Sequence, residues 1–106
     1  MDRPNMAVKK AWLNTQIASF NGVVQPVPSR SIKVLALAVI SRLPNEVYFT
    51  TGPYSKISST MPLGANGGFV LPFNPYGWMK THEGEALCIN LSTPTDTGVM
   101  VLYIED

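Results

Sequence analysis

Proline and glycine fall so often along this chain that no long helix fits between them. Pro26-Val27-Pro28, Pro44-Asn45, Gly52-Pro53, Pro62-Leu63-Gly64, Gly67-Gly68, Asn74-Pro75-Tyr76-Gly77, Glu83-Gly84 and Thr93-Pro94-Thr95-Asp96 cut it into short runs. The runs are about 4–9 residues long, which suits strands. Turn signals at roughly 8–12-residue spacing are those of an all-β sandwich or barrel. With 106 residues and no linker or repeat, the expectation is one domain: a small antiparallel, jelly-roll-like β-sandwich over residues 31–106. Residues 1–30 would supply an N-terminal arm or the first strands.

The strands can be placed one by one. Ser31–Ile40 is the clearest, with Ile32, Val34, Ala36, Ala38 and Ile40 on one face and Lys33, Leu35, Leu37 and Val39 on the other. Glu46–Thr50 and Lys56–Thr60 read as a hairpin around Thr51-Gly52-Pro53-Tyr54. Gly68–Leu71 is a short strand stopped by Pro72. Ala86–Leu91 and Gly98–Ile104 are expected to pair antiparallel through the Pro94-Thr95-Asp96 turn. Ala7–Phe20 is ambiguous: Val8, Ala11 and Trp12 fit a helical face, but Thr15 and Gln16 interrupt it. Strand is favoured there, with Asn21-Gly22 turning the chain.

A sandwich gives each sheet one solvent face, so its strands should alternate apolar and polar. Two strands here do not. In the last, Val99, Val101 and Tyr103 share one face while Met100, Leu102 and Ile104 share the other, and the Ile32 strand is equally two-sided. Either the N-terminal segment covers an outer face, or another subunit does, and burial in a homo-oligomer is the more economical.

Composition narrows the function classes. Charged residues make up 14% and apolar ones 45%, which excludes a disordered chain. A net charge of +1 gives no electrostatic route to nucleic acid or an acidic membrane. The longest apolar run, Val34–Ile40, is seven residues, far below the roughly 20 that span a bilayer. Met1-Asp2-Arg3-Pro4-Asn5 lacks the pattern of a secretory signal, so synthesis and solubility in the cytoplasm are expected.

Catalytic and metal chemistry find little support. His82-Glu83-Gly84-Glu85 puts three candidate ligands in four residues, with no second His in the chain to complete a site. A polar turn is the simpler reading. Cys88 sits mid-strand between Leu87 and Ile89, where a small buried side chain is expected and not a thiolate paired with His82. Asp96, Glu46, Glu83 and Glu85 show no spacing that would pair two carboxylates across a cleft. No GxSxG elbow occurs, and Gly64-Ala65-Asn66-Gly67-Gly68 lacks the GK[ST] ending of a phosphate loop. No enzyme activity, cofactor or metal is expected. Aromatics cluster in two stretches, Tyr48, Phe49 and Tyr54, and Phe73, Tyr76 and Trp78. Such groups cap a core, anchor an interface or stack on sugars.

The series Thr50-Thr51-Gly52-Pro53-Tyr54, Met61-Pro62-Leu63-Gly64-Ala65-Asn66-Gly67-Gly68, Leu71-Pro72-Phe73-Asn74-Pro75-Tyr76-Gly77-Trp78 and Glu83-Gly84-Glu85-Ala86-Leu87-Cys88-Ile89-Asn90-Leu91, followed by a strand ending Tyr103-Ile104, resembles a group of small tailed-phage virion proteins. That group carries an L-x-A-N-G-G, P-F-N-x-x-G-W, G-E-A-L series, and the resemblance runs from Ile32 to Ile104, leaving the N-terminal 30 residues unaligned. It implies a β-sandwich in the virion: a cement or decoration subunit on the capsid exterior, bound to the major capsid protein and self-associated, a trimer being favoured. The alternative it implies is a head-fibre, collar or tail module touching host glycan through Tyr54, Tyr76 and Trp78. Interface residues expected on either reading are Val8, Trp12, Phe20, Tyr76, Trp78, Met100 and Leu102. Removal of Met1–Phe20 is expected to abolish capsid binding and leave the sandwich folded.

Overall fold

Wherever Pro and Gly leave room between them, the chain is extended. In the computed structural model, which describes residues 7–53 and 55–106, every regular element is a strand. They are β1 (Lys9–Thr15), β2 (Ser19–Val24), β3 (Ile32–Ser41), β4 (Asn45–Thr51), β5 (Ser55–Lys56), β6 (Met61–Leu63), β7 (Gly67–Leu71), β8 (Met79–Lys80), β9 (Leu87–Leu91) and β10 (Thr97–Glu105). Tyr54 and the first six residues lie outside the description, and with them the sugar-stacking role expected of Tyr54.

Two antiparallel sheets pack face to face. Sheet I runs β1-β10-β3-β7, with β8 also on β3; sheet II runs β2-β9-β4-β5, with β6 also on β4. β7 and β8 are two pieces of one edge, as are β5 and β6, so the topology reduces to eight strands in two sheets of four, the jelly roll. Between β7 and β8 the backbone stays attached to β3, where the Asn74 and Trp78 N–H groups donate to the Leu35 and Val34 carbonyls at 2.8 Å each. Between β5 and β6 the Ser58 hydroxyl accepts the Phe49 N–H at 2.8 Å, where the partner strand bulges away. Phe49, Ile32, Leu87, Ile89, Leu91, Val34, Val47 and Val101 fill the space between the sheets and are almost wholly buried.

Three expectations change. Ala86–Leu91 and Gly98–Ile104 do not form a hairpin: β9 pairs with β2 and β4, whereas β10 pairs with β1 and β3 in the other sheet. The connection crosses the end of the sandwich because Asn45 Oδ1 accepts the Ser92 and Thr93 N–H groups (3.1 and 2.9 Å) and the Asp96 carbonyl accepts from Arg42 N (2.9 Å).

The turn expected at Asn21-Gly22 lies upstream. β2 runs straight through those residues, and the chain reverses over Gln16–Ala18, where Ile17 N donates to Thr15 Oγ1 and Asn21 Nδ2 to the Ile17 carbonyl. Asn21 thus serves the turn through its side chain, and Ser19 takes the positive φ of 76°. The segment resolves as strand, with Trp12 outward and Leu13 against the core.

The faces of β3 change at Leu35. Tyr103 stands opposite Val34 but Leu102 opposite Ala36, so Leu35 is the extra residue of a bulge. Beyond it the period shifts by one: Leu37 and Val39 point into the core, while Ala36, Ala38 and Ile40 turn outward. Gly68 makes the edge possible, because a Cβ there would lie 1.9 Å from the Val39 carbonyl oxygen.

Candidate interaction surface

Strand register sorts the side chains on the outside of sheet I into rows. Trp12 is opposite Met100, Met100 opposite Ala38 and Ala38 opposite Val70, one row across all four strands. The next row is Asn14, Gly98, Ile40 and Gly68; on the other side lie Lys10, Leu102 and Ala36. Trp12 is 70%, Val70 69%, Ile40 58% and Met100 52% exposed. Among the described residues no segment crosses over them. The small residues sink the middle of the face into an open depression of about 830 Å³, walled by Trp12, Met100, Ile40 and Val70 and floored by Ala38, Gly68 and Gly98. Charge is confined to its ends: Lys10, Lys33 and Lys80 at one, and the Arg42–Asp96 ion pair (3.2 Å) at the other.

The residues expected at an interface do not all meet. Trp12, Met100 and Leu102 share this face, and Val8 precedes β1. Phe20 is exposed on the far side of the sandwich, in the row Phe20, Asn90, Tyr48 of sheet II. Tyr76 and Trp78 belong to the loop between β7 and β8. That loop is fixed: Trp78 Nε1 donates to the Pro72 carbonyl (2.8 Å), Tyr76 N to Asn74 Oδ1 (3.0 Å), and Gly77, at φ 84°, packs so close to Lys33 that a Cβ would come within 2.8 Å of it. It holds Tyr76 out into solvent. Ile40, Ala38 and Val70, half of the apolar row and its neighbour, were not anticipated; their signal is the alternation of β7 and β3, readable only once the bulge and register are known.

The chemical candidates resolve into structural roles. Thr51 Oγ1 donates to Glu85 Oε1 (2.7 Å) and accepts the His82 N–H (2.8 Å), while His82 Nδ1 stands 3.5 Å from the same carboxylate. The turn His82–Glu85 is thereby tied to the end of β4. Among the described residues no group of three His, Cys, Asp or Glu side chains comes together. Cys88 is buried, and burial pushes its thiol above the ordinary value of 9.0 against the opposing effect of a hydrogen bond with Thr50. That is the reverse of an activated nucleophile. Among the described residues no helix is long and apolar enough to cross a membrane.

Neither protein-family models nor curated proteins match this sequence. Its fold is similar to that of a protein described under the words "Bacillus endospore appendages form a novel family of disulfide-linked pili". The TM-score is 0.55 at 11% identity, over 98% of this chain and 89% of that one. A weaker likeness, TM-score 0.44 at 12% identity over 100% and 82% of the two chains, is to the virus-like particle of the giant freshwater prawn (Macrobrachium rosenbergii) extra small virus. Both neighbours build assembled structures. The likeness to the pilus protein is one of fold; the weaker one carries no argument.

Proposed function

We propose that the chain is a non-enzymatic structural subunit of an assembly, and more specifically a cement or decoration protein on the exterior of a tailed-phage head. The observation that carries this reading is the uncovered apolar row Trp12, Met100, Ala38 and Val70 on a jelly-roll sheet. A contiguous apolar patch of this size is the mark of a surface made to be covered. A rigid sandwich that bridges neighbouring capsid subunits adds buried area that must be broken before the head ruptures. The motif series from Leu63 to Leu91 supports the phage assignment, and the major capsid protein is then the partner in the virion. A disulfide linkage of the kind named for the pili is not open to the folded subunit, because Cys88 is its one cysteine and is buried.

The test is co-sedimentation of the purified chain with empty heads of its phage. Saturable binding is expected, together with a higher temperature of head rupture; a chain left in the supernatant at every concentration overturns the cement role. A second reading rests on the β7–β8 loop, where Tyr76 is 85% exposed and Phe73 stands exposed beside it. A collar, fibre or tail module would present these rings to host glycan. Host polysaccharides should then change the fluorescence of Trp78, and an unchanged spectrum counts against this role.

A further inference from the structure

We infer that the outer face of sheet I is built to pair with the same face of a second copy, about a two-fold axis parallel to the strands and lying between β10 and β3. The pairing covers the apolar face on which the cement reading rests, so a paired subunit meets the head through its remaining surfaces, and the two can fail separately.

The register carries the argument. β10 and β3 are the two central strands, and on their outer side three successive facing pairs join a large residue to a small one, Ile40 with Gly98, Met100 with Ala38 and Leu102 with Ala36, before Ile104 and Lys33 close the row at one end. An axis between these strands lays β10 of one copy over β3 of the other. Each large side chain then meets the small residue of its own row: Met100 over the partner's Ala38, Leu102 over the partner's Ala36, and Ile40 over the partner's Gly98. Large-on-small facing is how two aligned sheets interdigitate at a spacing of about 10 Å. Further out, Trp12 of β1 covers the partner's Val70.

Area and charge agree. With Trp12, Val70, Ile40 and Met100 all more than half exposed, each copy offers on the order of 500 Å² of apolar side chain, near the upper end of what a monomer shows. Two such patches together remove about 1,000 Å², the lower bound for a specific interface. The middle of the face holds no charge that pairing would bury unpaired; Lys10, Lys33 and Lys80, the last paired with Asp106, stay at one end and Arg42 and Asp96 at the other. A trimer would need two different patches that fit each other, whereas this face is complementary to itself.

Sedimentation and light scattering of the full chain test the pairing. The wild type should give about 23 kDa, twice the 11.6 kDa of one chain. Met100→Glu and Ala38→Arg should each give the single-chain mass and keep a cooperative thermal transition, lowered only by loss of the pairing and no longer dependent on concentration. Mixed one to one, they should return to the double mass, because the introduced carboxylate of one variant then faces the introduced guanidinium of the other while the second Met–Ala contact stays intact. Gly98→Leu serves as an independent variant. Its Cβ has room, the nearest atom being Ile40 Cγ2 at 3.5 Å, so the lone chain keeps its fold while the recess for the partner's Ile40 is filled. A wild type of single-chain or triple mass, or a dimer that none of these substitutions weakens, overturns the pairing. A monomer that still binds heads removes the pairing and leaves the cement reading standing; a dimer that ignores heads does the opposite.

Discussion

Asn45 shows how much one side chain can hold at the end of this sandwich. It is buried, and its Oδ1 accepts from Glu46 N, Ser92 N, Ser92 Oγ and Thr93 N, while Nδ2 donates to Ser41 Oγ and the Thr93 carbonyl. Replacing it strips backbone N–H groups of their acceptor at the crossing from sheet II to sheet I. Asn45→Ala is expected to cost about 2–4 kcal/mol, read as a lower urea midpoint, with the β9–β10 connection losing hydrogen-exchange protection. Cys88 makes a different prediction. Its folded thiol titrates above the ordinary 9.0, so the folded state holds that proton more tightly than the unfolded one. The resulting stabilisation is complete below pH 9.0 and is lost as pH rises through the folded value. The wild type should therefore lose more stability than Cys88→Ala does as pH rises past 9.0, the variant correcting for every other titrating group. In the native state an alkylating reagent should reach the thiol only as fast as the chain opens.

Among the elements, β1 and β2 decide what the N-terminal segment is for. β1 pairs along its whole length with β10, and β2 pairs with β9, so each is an outer strand of one sheet. Deleting Met1–Phe20 would remove β1 and bare one side of β10, a central strand. The expectation that the sandwich survives this deletion is replaced: the truncated chain should lose its cooperative thermal transition and aggregate. The presence of strands was legible, because Pro and Gly mark their ends. Sheet membership was not, since a Pro-containing link such as Thr93–Asp96 suits a hairpin and a crossing between sheets equally well. The bulge at Leu35 was hidden for a related reason, as an extra residue shows only against its partner strand. That also limited the candidate surface: Met100 and Leu102 stood out as the second apolar face of the last strand and Trp12 as an aromatic of the N-terminal segment, but Ala38 and Val70 join them only through register.

For the molecule as a whole, the proposed pairing is apolar at its centre, and that fixes how it should respond to conditions. Raising the salt should leave the dimer unchanged or tighten it, because no central ion pair is there to be screened. Cooling should loosen it, as apolar association weakens at low temperature. Dissociation constants from sedimentation at low and high salt, and at two temperatures, check both directions; a dimer that falls apart in salt would place its contacts at Lys10, Arg42 and Asp96 instead.

The order of strands in sheet I also reaches into how the protein is made. β10, the strand between β1 and β3, lies at the opposite end of the sequence from β1. On the ribosome β1 and β3 emerge early and wait without the strand that joins them, and contacts this distant in sequence form slowly even in a free chain. Sheet I has no middle until Thr97–Glu105 is clear of the tunnel. A message cut short before that point yields a chain with no native first sheet, and growing chains on neighbouring ribosomes cannot begin to assemble through it. Whatever this subunit joins through sheet I, it joins only once Thr97–Glu105 is in place.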